Sequence, residues 1–165
     1  MIFISHDSHR IREADLFKRL AIKYGICPEV SEIFLSSDAN SIPSGELWVN
    51  HIFESLRNCQ HFVALISDKT DFENKWILFE TAFVKGRESK PSLSVFVFGQ
   101  MRMQDVPWPL GALHLIDTGN TDRVWTALVK MGVREEDASV GEFAHLFRQC
   151  GCYRNPKEPC NGVRI

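Results

Sequence analysis

The sequence predicts an α/β fold, a doubly wound parallel sheet of five strands in the order 2-1-3-4-5, with helices on both faces. Three observations lead there. Short segments that are apolar throughout take turns with segments of helical periodicity, the pattern of parallel strands covered on both sides. Five such units can be counted, which is the number of a flavodoxin-like sheet. At 165 residues the chain is long enough for one domain with a sizeable core.

The elements follow in order. "IFIS" (2–5) is the first strand, and Ala14, Phe17, Leu20, Ala21 and Tyr24 recur at helical spacing until Gly25 ends the helix. "EIFLS" (32–36) is the second strand. A turn-rich stretch, "SDANSIPSGE", then leads to a helix with Trp48, Ile52, Leu56 and Cys59 on one face. Ser44 is its expected cap, with Glu46 in the first turn. "HFVALIS" (61–67) is the third strand and runs directly into a helix over 75–86. "SLSVFVFG" (92–99) and "HLID" (114–117) are the last strands, separated by an irregular loop over 99–113. A closing helix carries Val124, Leu128 and Met131 and stops at Gly132.

Composition narrows the function classes. A formal net charge of −2 gives no electrostatic reason to expect nucleic acid or an anionic membrane as partner. No apolar run has the length of a membrane span, and "MIFISHDS" reads as a strand rather than a signal peptide. Five scattered cysteines make an odd set, which argues against a disulfide framework and for a reducing, cytoplasmic setting. Cys150, Cys152 and Cys160 with His145 match no standard zinc spacing, so no metal is expected.

The chemistry should lie where the strand order reverses, outside the carboxyl ends of the first and third strands. Those ends are "SHDS" (5–8) and "SDKT" (67–70). In the helix "KWILFETAFVKG", Trp76, Ile77, Phe79, Phe83 and Val84 share one arc at about 100° per residue. Glu80 falls inside that arc, and Thr81 and Lys85 fall opposite. An ionised carboxylate on an inward stripe is costly unless it is paired or open to solvent. One reading makes Glu80 the reactive group of a half-covered cleft floored by Trp76. The other makes it a structural acid paired with Arg10 or Lys69, with the three aromatic residues as plain core.

The ordered series "FISHDS", "IFLSSDANSIPSGELW", "ALIS" and "WILFE" resembles the TIR (Toll/interleukin-1 receptor) domain in its bacterial form, over residues 1–132. Residues 133–165 then form a C-terminal tail, with one more helix around "VGEFAHLFRQC". "FISHDS" is similar to the family's first box, "SDANSIPSGE" to the loop after its second strand, and "KWILFE" to its Trp-x-x-x-Glu helix. Enzymatic members cleave the nicotinamide–ribose bond of NAD+, and the resemblance implies Glu80 as the catalytic residue. It implies substrate-lining roles for Ser5, His6, Asp7 and Ser8, for Asp38 and Trp48 beside the loop, and for Trp76. NAD+ is then a substrate rather than a cofactor, and ADP-ribose or a cyclic isomer is the product. It also implies self-association through TIR–TIR contacts at the 38–47 loop and, as in Thoeris-type anti-phage systems, a separate effector reached by a diffusible nucleotide. Two other classes stay open, a non-catalytic TIR adaptor and an enzyme similar to nucleoside deoxyribosyltransferases. An inward glutamate favours an enzyme over an adaptor, and "SIPSGELW" favours TIR over a transferase.

Overall fold

In the computed structural model, residues 1–27, 29–36, 48–98 and 101–133 are described. Five parallel strands, β1 (Ile2–Ser5), β2 (Ile33–Leu35), β3 (His61–Ile66), β4 (Ser92–Val97) and β5 (Leu115–Asp117), form one sheet in the order β2-β1-β3-β4-β5. This is the expected topology. The helices are α1 (Ile11–Lys23), α2 (Trp48–Asn58), α3 (Lys69–Glu73), α4 (Lys75–Lys85) and α5 (Thr121–Lys130).

Because strand side chains alternate between faces, each strand feeds two cores. Ile2, Ile4, Ile33, Leu35, Val63, Leu65, Phe96 and Ile116 point to one side, where Phe17 and Leu20 of α1 and Val124 and Leu128 of α5 cover them. Phe3, Phe34, Phe62, Ala64, Ile66, Val95 and Val97 point to the other, beneath Ile52 and Leu56 of α2 and Ile77 and Val84 of α4. On that second face Phe3 stacks between its register partners Phe34 and Phe62, with ring centroids 5.1 and 5.6 Å away. The stack forms an aromatic wall across the three strands that flank the reversal point.

Local signals fix the element ends. Gly25 stands at φ +68°, a left-handed conformation that a side chain disfavours, and α1 ends just before it. Two expectations are corrected. β3 does not run directly into the glutamate helix, because α3 intervenes, started by a reciprocal capping box between Asp68 and Asp71. Five residues are too few to register as periodicity. The loop before β5 is also more ordered than expected, with 3-10 turns at Met103–Asp105 and Leu110–Ala112 that bury Val106 and Leu110 against the second core. Gly111 permits this turn, since a Cβ there would lie 2.3 Å from the Val106 carbonyl oxygen.

Among the described residues no helix is long and apolar enough to cross a membrane. Val133, the last of them, packs into the α1/α5 core. The segment 37–47, with Asp38 and Ser44, and the tail 134–165, with its expected helix and three cysteines, lie outside the described residues.

Candidate active site

The site grows from the end of β1 and the inward face of α4. That face consists of Ile77, Glu80, Thr81 and Val84, a spacing of i, i+3, i+4, i+7. It is rotated from the arc expected from hydrophobicity. Thr81, expected outward, is buried, while Trp76 and Phe79, expected inward, are 43% and 39% exposed. These rings find partners along the seam with α2. Trp76 meets Trp48 edge-on at 4.8 Å, Phe79 meets Phe53 at 5.6 Å, and Phe83 meets Phe53 at 5.5 Å. Trp76 is therefore an exposed rim and not a core floor. Trp48, expected on the inward face of α2, opens that helix and is 40% exposed.

Glu80 itself is 2% exposed, so it does not line a half-open cleft. Nor does it pair with Arg10 or Lys69. Its Oε2 accepts one hydrogen bond, from the buried Ser5 hydroxyl at 2.5 Å. Burial pushes the carboxyl up to about 7, against the downward pull of that bond. A carboxyl poised near neutrality is a common property of catalytic groups.

The four residues Ser5 to Ser8 are placed in four different ways. Ser5 is the Glu80 partner. His6 is buried with Nδ1 3.3 Å from the Ile4 carbonyl oxygen, and burial lowers its basicity, which favours the neutral ring. Asp7 Oδ2 accepts from Asn74 Nδ2 at 2.7 Å, while Asn74 Oδ1 accepts from the Trp76 amide at 2.9 Å and so starts α4. One side chain thus ties the β1 loop to the glutamate helix. Burial works against ionisation of Asp7, but hydrogen bonds from His9 and Asn74 bring its carboxyl down to about 2. Ser8 is exposed, and its hydroxyl lies 3.4 Å from Asp7 Oδ1 rather than at Glu80. Asp38 lies outside the described residues.

Arg10 serves a neighbouring cluster. It donates to Asp68, and its guanidinium lies 3.5 Å from Asp71 Oδ2 and 3.9 Å from Glu13. Asp71 Oδ2 also accepts from the Ser67 amide at 2.6 Å and the Ser67 hydroxyl at 3.1 Å, so Ser67 anchors the turn after β3. Beside this turn, Ser67, Asp68, Lys69 and Phe72 face Met101, Arg102 and Asp105 across an open cavity of about 500 Å³. Glu80 and Trp76 are not among its lining residues.

Reading the sequence missed Asn74 and Asp71. Both had signals: an asparagine just before a helical run is a cap, and Asp68-x-x-Asp71 has capping-box spacing. Among the described residues no three His, Cys, Asp or Glu side chains converge as a metal site. Compared with known proteins, the chain matches no family model, no curated protein and no solved structure.

Proposed function

We propose that the protein is an NAD+ nucleosidase or cyclase of the TIR type, with Glu80 as its catalytic residue. One observation carries this reading. A carboxyl sits sequestered at the strand-order reversal, held by a single serine, with the exposed indole of Trp76 one helical turn away.

One carboxylate is enough for this reaction. A glycosidase needs a second carboxyl group to protonate a departing oxygen. The nicotinamide of NAD+ is a pyridinium, so when the C–N bond breaks the bonding pair stays on its nitrogen and the ring leaves neutral. What the protein supplies is negative charge beside the oxocarbenium-like ribose, and a buried carboxylate supplies it at low dielectric. Approach of the cationic nicotinamide ring favours the ionised form of Glu80, opposing the burial that raises its pKa. Water then adds to the ribose carbon and loses a proton, giving ADP-ribose. Attack by a nitrogen or hydroxyl of the same molecule gives a cyclic isomer instead. Trp76 and Trp48 offer flat surfaces at right angles to each other for the rings of the substrate.

A cytoplasmic setting, self-association through segment 38–47 and a diffusible product acting on a separate effector belong to the same proposal. The exposed rings of Trp48, Trp76 and Phe79 also suit the adaptor reading, since such patches mark association surfaces. Incubation with NAD+ and, separately, with deoxynucleosides, followed by mass analysis, distinguishes these readings. Release of nicotinamide that disappears in Glu80→Gln is the expected result. Base exchange on deoxynucleosides supports the transferase, and no turnover of either supports the adaptor.

A further inference from the structure

Ser5 occupies an unusual place for a hydroxyl. It ends β1 beside the central strand β3, is fully buried, and pairs in register with Ala64 of that strand. Alternation puts Ser5 and Ala64 on the same face as Phe3 and Phe62, two residues further along each strand. The large rings thus give way to two of the smallest side chains just where α4 brings Glu80 down. The carboxyl fills the notch so formed, with Oε2 against the Ser5 hydroxyl and Oε1 accepting no hydrogen bond from the described residues.

We propose that Ser5 is a positioning residue for Glu80: its hydroxyl, seated beside Ala64, holds Oε2 and leaves Oε1 as the oxygen that meets the ribose. This rests on the function proposed above and assigns Ser5 a place behind the carboxyl, out of the substrate's reach. The donated bond also favours the ionised carboxyl, in opposition to burial. Among the described residues no charged side chain shares that task. Asp7 is held by Asn74 and His9, and Asp71 by Ser67 and Arg10. The Glu80 shift has burial and the Ser5 bond as its causes, and His6 just after β1, His51 and Glu54 from α2 and His61 from the far end of β3 are not among them. Removing the Ser5 hydroxyl therefore leaves burial unopposed.

The test uses the full chain with carbon-13 labelled glutamate, the Glu80 carboxyl signal being assigned by its loss in Glu80→Gln. In Ser5→Ala the midpoint of that signal should rise by about one pH unit or more, the effect of losing a hydrogen bond to a charged group. Ser5→Thr keeps the hydroxyl and should restore the wild-type midpoint. With NAD+ as substrate, Ser5→Ala should lose about fivefold in turnover at pH 7 and recover most of it at pH 9, as expected of a shifted titration. A variant harmed only in its packing would lose activity equally at both. An unchanged carboxyl midpoint in Ser5→Ala overturns the proposal. Failure of the wild type to cleave NAD+ would instead remove the function, and the carboxyl titration would still decide the role of Ser5.

Discussion

The two faces of the sheet draw on the same strands and the same alternation, yet they finish differently. Under α1 and α5 the inward positions are apolar apart from Ser94 and from Glu13, a carboxylate that lies 3.9 Å from Arg10, and the exposed Ile11 and Val129 are single residues of the kind any surface carries. Under α2 and α4 the arrangement is partly inverted. A carboxyl and a threonine hydroxyl lie inside, the latter without a hydrogen-bond partner among the described residues, while Trp48, Trp76 and Phe79 lie partly outside. Polar groups in and rings out is the opposite of what stability asks for. The contrast teaches where to look for chemistry, because local violations of the packing rules concentrate at working sites.

Substitutions on each face should have distinct effects. The largest expected effect is on the quiet face. Phe17 is fully buried and meets Phe96 edge-on at 5.4 Å, so Phe17→Ala should cost about 3–5 kcal/mol in denaturant unfolding. A small loss there would mean that the α1/α5 core is looser than its burial indicates.

On the other face, Glu80→Gln should lower NAD+ turnover by roughly a hundredfold or more while leaving the circular dichroism spectrum intact. Near-normal turnover would move the chemistry elsewhere. The same substitution should raise stability at alkaline pH. In the fold the Glu80 carboxyl titrates at about 7, against an ordinary 4.5. The neutral form is thus the one the fold prefers. Below the lower value the group is protonated in both folded and unfolded chains and carries no penalty. As pH rises through this window, the wild type loses stability, by at most about 3 kcal/mol. Melting temperatures at pH 4 and pH 8 check this: the variant should gain on the wild type only at the higher pH. An equal or lower melting point for the variant at pH 8 would make Glu80 a structural acid.

A smaller effect is expected at the rim. With its ring nearly half exposed, Trp76→Ala should cost about 1–2 kcal/mol in stability, well below the value for a core aromatic residue, and raise KM for NAD+. A cost as large as that of Phe17→Ala would return Trp76 to the core. The mildest expectation concerns the wild type alone. Because the ionised carboxyl is the working form, kcat/KM should climb with pH and level off above about 7. A profile flat from pH 5 to 9 would separate the reaction from Glu80.

Much of this architecture was legible in the residues. The strands announce themselves as unbroken apolar runs, and their number and spacing led to the order that β1 to β5 adopt. Glu80 also stood out, as the one acid within an apolar arc. Its surroundings did not. A helical wheel ranks positions by hydrophobicity and cannot tell which edge of a broad arc faces the sheet. It therefore placed Trp76 inside and Thr81 outside. The Ser5 contact is separated from Glu80 by 75 positions, and no local pattern reports such a pair. Arg10 looked available to Glu80 because the acids that hold it, Asp68 and Asp71, are positioned by a helix too short to read.

Asn74 has a consequence for the vocabulary of substitutions. Its oxygen starts α4 and its nitrogen holds Asp7, so the position needs an acceptor and a donor at opposite corners of one short planar group. Aspartate would keep the helix start and set a second anion against Asp7. Serine has a single atom for both duties, and glutamine carries both groups one methylene too far from the backbone. Among the genetically encoded side chains, asparagine alone satisfies both demands, so this position has almost no synonyms.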